Sequence, residues 1–140
     1  MTSNPSVVDE RLTDCKQSIY YVLGGRHLGS AIARHLQAAG RAVYVIDEFH
    51  ERSEIDGVRG DPADVRTLEA AGVAAASTVV VATASDSRNL LIAQLVRARF
   101  DVERVVVLVN TPDRFEMFAD AGHKPVCATS VLSGTLAGAV

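Results

Sequence analysis

Residues 18–47 read SIYYVLGGRHLGSAIARHLQAAGRAVYVID, and this stretch decides the fold. Ser18–Leu23 is a run of β-branched, aromatic and aliphatic residues that favours a strand, and Gly24-Gly25 ends it. Apolar residues then return at the helical period, at Leu28, Ala31, Ile32 and Leu36, so Leu28–Ala38 reads as a helix stopped by Gly40. Ala42–Ile46 is a second strand closed by Asp47-Glu48. Strand, glycine turn, helix and strand make one βαβ unit, the connection that parallel strands require.

The alternation continues downstream. After a weak segment, Phe49–Glu54, the pattern predicts a short strand at Ile55–Arg59 closed by Gly60, and a helix over Pro62–Ala71 with proline in its first turn. Strands follow at Thr78–Thr83, Arg104–Val109 and Val126–Ala128, and helices at Asp86–Phe100, Pro112–Ala121 and Val131–Ala139. Strands as apolar as VVVAT and VVVLV imply cover on both faces, as in a parallel sheet between helices. Right-handed crossovers then give an α/β, Rossmann-like doubly wound parallel sheet, a three-layer αβα arrangement with strand order 3-2-1-4-5-6. Residues 1–17 are polar and aperiodic, an N-terminal arm with a short helix near Val8–Thr13, and residues 18–140 form the domain.

Composition narrows the function. The chain has 140 residues, 48% of them hydrophobic and 22% charged, with a formal net charge of −3. That balance is neither disordered nor the basic footprint of a nucleic-acid binder. No apolar run approaches the ~20 residues of a membrane span, and the N-terminus lacks the form of a secretory signal. Cys15 and Cys127 have no paired spacing, which fits a reducing compartment and no metal knuckle. A length of one lobe also leaves no room for the substrate lobe of a dehydrogenase.

The chemistry-bearing motif is Gly24-Gly25-Arg26-His27-Leu28-Gly29. The dinucleotide fingerprint needs glycine first for a tight turn, third for close approach to a pyrophosphate, and sixth for helix–strand packing. Gly24 and Gly29 fill the first and sixth places, but Arg26 stands third. Its side chain either narrows the phosphate approach or pairs with a phosphate beside the helix N-terminus. A glycine turn with no ligand is the plainer alternative.

Asp47 lies 18 residues beyond Gly29, where an acid accepts hydrogen bonds from an adenosine ribose and repels a 2′-phosphate. Asp61 either reaches the adenine edge or caps the helix ahead of Pro62. Thr83, Ala84 and Ser85 are small residues beyond the fourth strand, Asp86 is read as the cap of the long helix, and Asn89 is read as turned toward the same crevice. His27, His35, His50 and His123 are scattered without metal-ligand spacing, and no acid, base or nucleophile is nominated.

On the blocks YYVLGGRHLGSAIARHLQAAGRAVYVID, GVRGDPADVRTLEAAGV, STVVVATASDSRNLLIAQLVR and VVVLVNTPDRFEMFADAG, the run from Tyr20 to Gly122 resembles the RCK N-terminal domain. This domain, also called TrkA-N, occurs in potassium channel and transporter regulators. The resemblance implies a cytoplasmic, non-catalytic sensor of an adenine nucleotide (NAD(H) foremost, or ATP, ADP or AMP), working as a homodimer or higher homo-oligomer; the charge balance and residue spacing above give the expectation of no nucleic acid and no metal. The resemblance also implies a partner in a potassium channel or transporter membrane subunit, and so a place at the inner face of the membrane. By the same resemblance Gly24, Gly25, Arg26, His27, Leu28 and Gly29 hold phosphates, Asp47 holds ribose, Asp61 lies near adenine, and Thr83 and Ala84 line the pocket.

The sequence departs from the family pattern at Arg26 and at Val109-Asn110, where many members carry a basic residue. No RCK C-terminal domain follows, so the chain reads as a stand-alone regulator or the N-terminal part of something larger. The alternatives are an NAD-dependent oxidoreductase fragment and a Rossmann-like interaction module that has lost its ligand.

Overall fold

The computed structural model describes residues 18–51 and 55–140; the expected arm and its helix near Val8–Thr13 lie outside them. Six strands, β1 (Ile19–Leu23), β2 (Ala42–Asp47), β3 (Gly57–Arg59), β4 (Thr78–Val81), β5 (Arg104–Val109) and β6 (Lys124–Cys127), form one parallel sheet in the order 3-2-1-4-5-6. The helices are α1 (His27–Ala38), α2 (Val65–Ala70), α3 (Asp86–Phe100), α4 (Phe115–Asp120) and α5 (Ala128–Gly138). Order and direction are those expected from the sequence.

Side-chain alternation divides the core between the two faces of the sheet. Leu23, Ile46, Val81 and Val107 pack with Leu68 of α2, Ile92 and Val96 of α3 and Phe118 of α4, all fully buried. Val22 and Val45 pack on the opposite side, against Ala33, Ile32 and Leu36 of α1. Cover on that second face by the described residues is incomplete. Val80, Val106 and Leu108 are only half-buried there, so β4 and β5 are less enclosed than their continuous apolar runs suggest.

Several element ends differ from the pattern-based reading. The third strand shrinks to three residues, with Ile55 buried in the bend before it. Pro62 sits in a turn, because the Asp61 carboxylate accepts from Ala63 N–H (2.8 Å) and Asp64 is the residue that caps α2, accepting from Arg66 N–H (2.9 Å). The strand expected over Thr78–Thr83 ends at Val81, because Thr83 N–H turns to the Asn89 side chain. Pro112–Arg114 is a separate 3₁₀ turn ahead of α4. The last strand begins two residues early, at Lys124, and the last helix begins at Ala128.

His123 precedes β6 and is buried, and neither ring nitrogen has a hydrogen-bond partner among the described residues. Burial, reinforced by the Arg97 charge, holds its pKa below the ordinary value near 6.5. The folded state therefore binds fewer protons than the unfolded chain, and its stability is full above about pH 6.5 and falls as pH drops toward the lowered value. Urea midpoints between pH 7.5 and 5.5 are expected to fall with acidification, and His123→Leu is expected to flatten that slope.

Candidate functional site

The carboxyl ends of β1, β2 and β4 open onto a crevice of about 600 Å³, a size suited to a small organic ligand. It lies where the strand order reverses, the place where open α/β sheets bind ligands. Its floor is the β1–α1 turn. Gly24 and Gly25 adopt positive φ (75° and 95°), and Gly29 packs so closely under the loop that a Cβ there would meet the Gly24 carbonyl oxygen at 2.1 Å. The N–H groups of His27 and Gly29 donate to no protein acceptor among the described residues. They leave open donors at the positive end of the 12-residue helix α1.

Arg26 takes φ 49° and ψ −116°, a region that suits glycine. The chain bends there as the missing third glycine would allow, and the arginine carries the cost. Its N–H donates to Asp47 Oδ2 (2.8 Å), and its guanidinium carbon lies 3.7 Å from the centre of the Phe49 ring. Relief of this strain, on the order of 1–3 kcal/mol, outweighs the ~0.5–1 kcal/mol entropic cost of glycine. Arg26→Gly is therefore expected to stabilise the ligand-free protein by about 1 kcal/mol, read as a rise in melting temperature of about 2–5 °C.

Asp47 ends β2 and is 5% exposed. Its second oxygen, Oδ1, accepts from Phe49 N–H (2.8 Å), so both carboxylate oxygens already organise the rim. Each retains a further lone pair for a ligand hydroxyl.

The opposite wall is held by a buried network. Asn89 does not turn to the crevice. Fully buried, it donates to the carbonyls of Thr83 (3.0 Å) and Leu108 (2.9 Å) and accepts from Thr83 N–H (3.0 Å), tying the ends of β4 and β5 together. Ser85, not Asp86, caps α3, through Arg88 N–H at 3.3 Å. Asp86 faces inward and accepts from Asn110 N–H (2.7 Å), Asn110 Nδ2 (3.1 Å) and Thr111 N–H (2.8 Å).

Burial alone would raise the Asp86 pKa, but those donors outweigh it and the net shift is downward from 3.8. A lowered folded pKa means this stabilisation is present above the ordinary carboxylate value and lost as pH falls through and below it. Asp86→Asn is expected to lower the urea midpoint at pH 7 and to reduce its fall between pH 5 and 3.

Of the site residues expected from sequence, Gly24, Gly25, Arg26, Leu28, Asp47, Thr83 and Ala84 line the crevice. His27 is exposed beside it and Gly29 is buried beneath the loop. Asp61 stands at the mouth, where Arg88 Nη2 contacts both its Oδ1 and Glu48 Oε1, the latter at 2.6 Å. The bridge joins the first turn of α3 to the loops after β2 and β3. These carboxylates raise the Arg88 pKa, the Glu48 hydrogen bond most. Phe49 and Arg88 are lining residues that no motif singled out.

Among the described residues no three potential metal ligands gather, and no helix is long and apolar enough to cross a membrane.

Comparison with known proteins agrees with this geometry. Residues 20–132 match the family model of the TrkA-N domain. A Trk system potassium uptake protein TrkA homolog of Methanothermobacter thermautotrophicus is 31% identical over 108 residues, 72% of this chain and 50% of that protein. Among solved structures, the GsuK channel bound to NAD is similar with a TM-score of 0.78 at 25% identity, covering 86% of this chain and 22% of that one. The NAD(P)-binding domain of an exopolyphosphatase-related protein from Archaeoglobus fulgidus has a TM-score of 0.73 at 28% identity, covering 85% and 94% of the two chains. The chain spans about half the length of the curated relatives it matches. With its glycine turn, its acid at the end of β2 and its strand order in place, and with the family model matching from Tyr20 to Leu132, the chain belongs to the TrkA-N domain family.

Proposed function

We propose that this domain is a non-catalytic sensor that binds an adenine nucleotide, NAD(H) foremost and ATP, ADP or AMP as competitors. Occupancy is passed, through a homodimer, to the membrane subunit of a potassium channel or transporter at the cytoplasmic face. The observation that carries the reading is one crevice lined by the glycine turn, the Asp47 carboxylate and the small residues Thr83 and Ala84, with the unpaired N–H groups of the first turn of α1 adjoining it. The donors suit phosphate, the carboxylate suits ribose, and the small residues leave room for the remainder. Support for the potassium partner comes from the TrkA uptake proteins among the relatives, and support for the ligand from the NAD-bound GsuK channel. A sensor of this kind works only if the ligand binds one state of the assembly better than the other.

Thermal shift against NAD, NADH, NADP, ATP, ADP and AMP tests the reading. A ligand at one hundred times its Kd adds about 2.7 kcal/mol, a rise of several degrees. NAD(H) is expected to stabilise and NADP to do so less, because its 2′-phosphate would approach the Asp47 carboxylate.

One observation favours a second reading, an interaction module with no ligand. Arg26 lies on Phe49 inside the crevice, and Arg88 bridges its mouth. No shift with any nucleotide would favour that reading.

A further inference from the structure

Phe49 is a large apolar side chain left half exposed in the wall of the crevice, two residues beyond Asp47. One face of its ring carries the Arg26 guanidinium at 3.7 Å. The two residues are set in this relation by one carboxylate, since Asp47 accepts Arg26 N–H through Oδ2 and Phe49 N–H through Oδ1, both at 2.8 Å.

The guanidinium makes no ion pair or hydrogen bond with any described residue. Glu48, adjacent to Phe49, would be the obvious partner, but it is taken by Arg88, as is Asp61. Arg26 is thus a cation whose recorded side-chain contact is an aromatic face. A cation on an exposed ring is held weakly, whereas a nucleobase stacked on the same ring is held more firmly.

We propose that the Phe49 face is the base-stacking surface of the crevice and that Arg26 is its placeholder. A purine entering the crevice replaces the guanidinium on the ring. The displaced arginine, which immediately precedes the first turn of α1 with its open His27 and Gly29 N–H groups, then pairs with the phosphates of the same ligand. Base and phosphate are read together: a ligand with only the base must evict the arginine without giving it a partner, and one with only phosphate leaves the ring uncovered. The inference rests on the nucleotide reading above and adds to it the residues that make binding depend on both moieties.

The chain contains no tryptophan, so Phe49→Trp places a single reporter on this surface. ADP is expected to quench its fluorescence saturably, while inorganic pyrophosphate leaves it unchanged. By calorimetry Phe49→Ala is expected to bind ADP about tenfold or more weakly than wild type, with Phe49→Leu also weak and Phe49→Trp restored. Arg26→Gln keeps the Cβ and removes the charge, and is expected to lower the ratio of ADP to adenosine affinity about fivefold or more. Circular dichroism confirms that each variant is folded, and a half-exposed Phe49 leaves the core untouched. If wild type and Phe49→Ala bind ADP equally, or if Phe49→Trp binds ADP without quenching, the stacking surface is refuted and the nucleotide reading survives. If wild type binds no nucleotide, both are refuted.

Discussion

Gly29→Ala is expected to destabilise the protein by about 3 kcal/mol or more and to remove nucleotide binding with it. The added Cβ would lie 2.1 Å from the Gly24 carbonyl oxygen and 3.6 Å from Val22 Cγ1. The first contact is with backbone, so no side chain can swing aside, and α1 must move away from β1. That movement would displace the open N–H groups from the crevice floor. Gly134→Ala, in α5 with open space around it, is the matched control and is expected to change stability by no more than about 1 kcal/mol, in the stabilising direction. Urea midpoints of the two variants measure the difference. Equal midpoints would show that α1 does not cross β1 at this distance.

Asp47→Ala is the second large effect. Removing the carboxylate leaves the N–H groups of Arg26 and Phe49 without their acceptor, each at a cost of about 1–3 kcal/mol where water does not replace it. A loss of about 2–4 kcal/mol is expected in urea denaturation. Asp47→Asn retains one acceptor oxygen and is expected to lose roughly half as much. Nucleotide affinity is expected to fall in both, because the amide restores neither the charge nor the second acceptor. The asparagine variant, still folded, separates the ribose role from the structural one.

The long periodic elements were legible in the sequence. Asp86–Phe100 is a helix at the expected boundaries, and the glycine turn, Asp47 and the residues after β4 meet where their motif spacing puts them. Short elements were less so, because local side-chain hydrogen bonds set their ends. In Asp61-Pro62-Ala63-Asp64 either aspartate can cap a helix, and the choice falls on Asp64 only because Asp61 is spent on Ala63 N–H. Ser85-Asp86 poses the same ambiguity. It is resolved by Asn110 and Thr111, some 25 residues away, which draw the aspartate inward.

Residues recruited across the crevice left no trace in any motif. Arg88 meets Glu48 from 40 positions away and Asp61 from 27, so only the folded sheet brings the three together. Phe49 lies in a segment with no clear period, and its place on the rim follows from the Asp47 carboxylate that holds its N–H. The departure at Arg26 was visible as a broken fingerprint. Its resolution, a glycine-like backbone with the guanidinium laid on Phe49, needed the structure.

Calorimetric titration of the wild-type protein and of Asp47→Asn with NAD, NADH, NADP, ATP, ADP and AMP tests the sensor reading most directly. The expected result is saturable one-to-one binding of NAD(H) or an adenine mononucleotide, weaker for NADP and reduced at least tenfold by the substitution. Absence of heat and of saturation across the whole series with folded wild-type protein would contradict it.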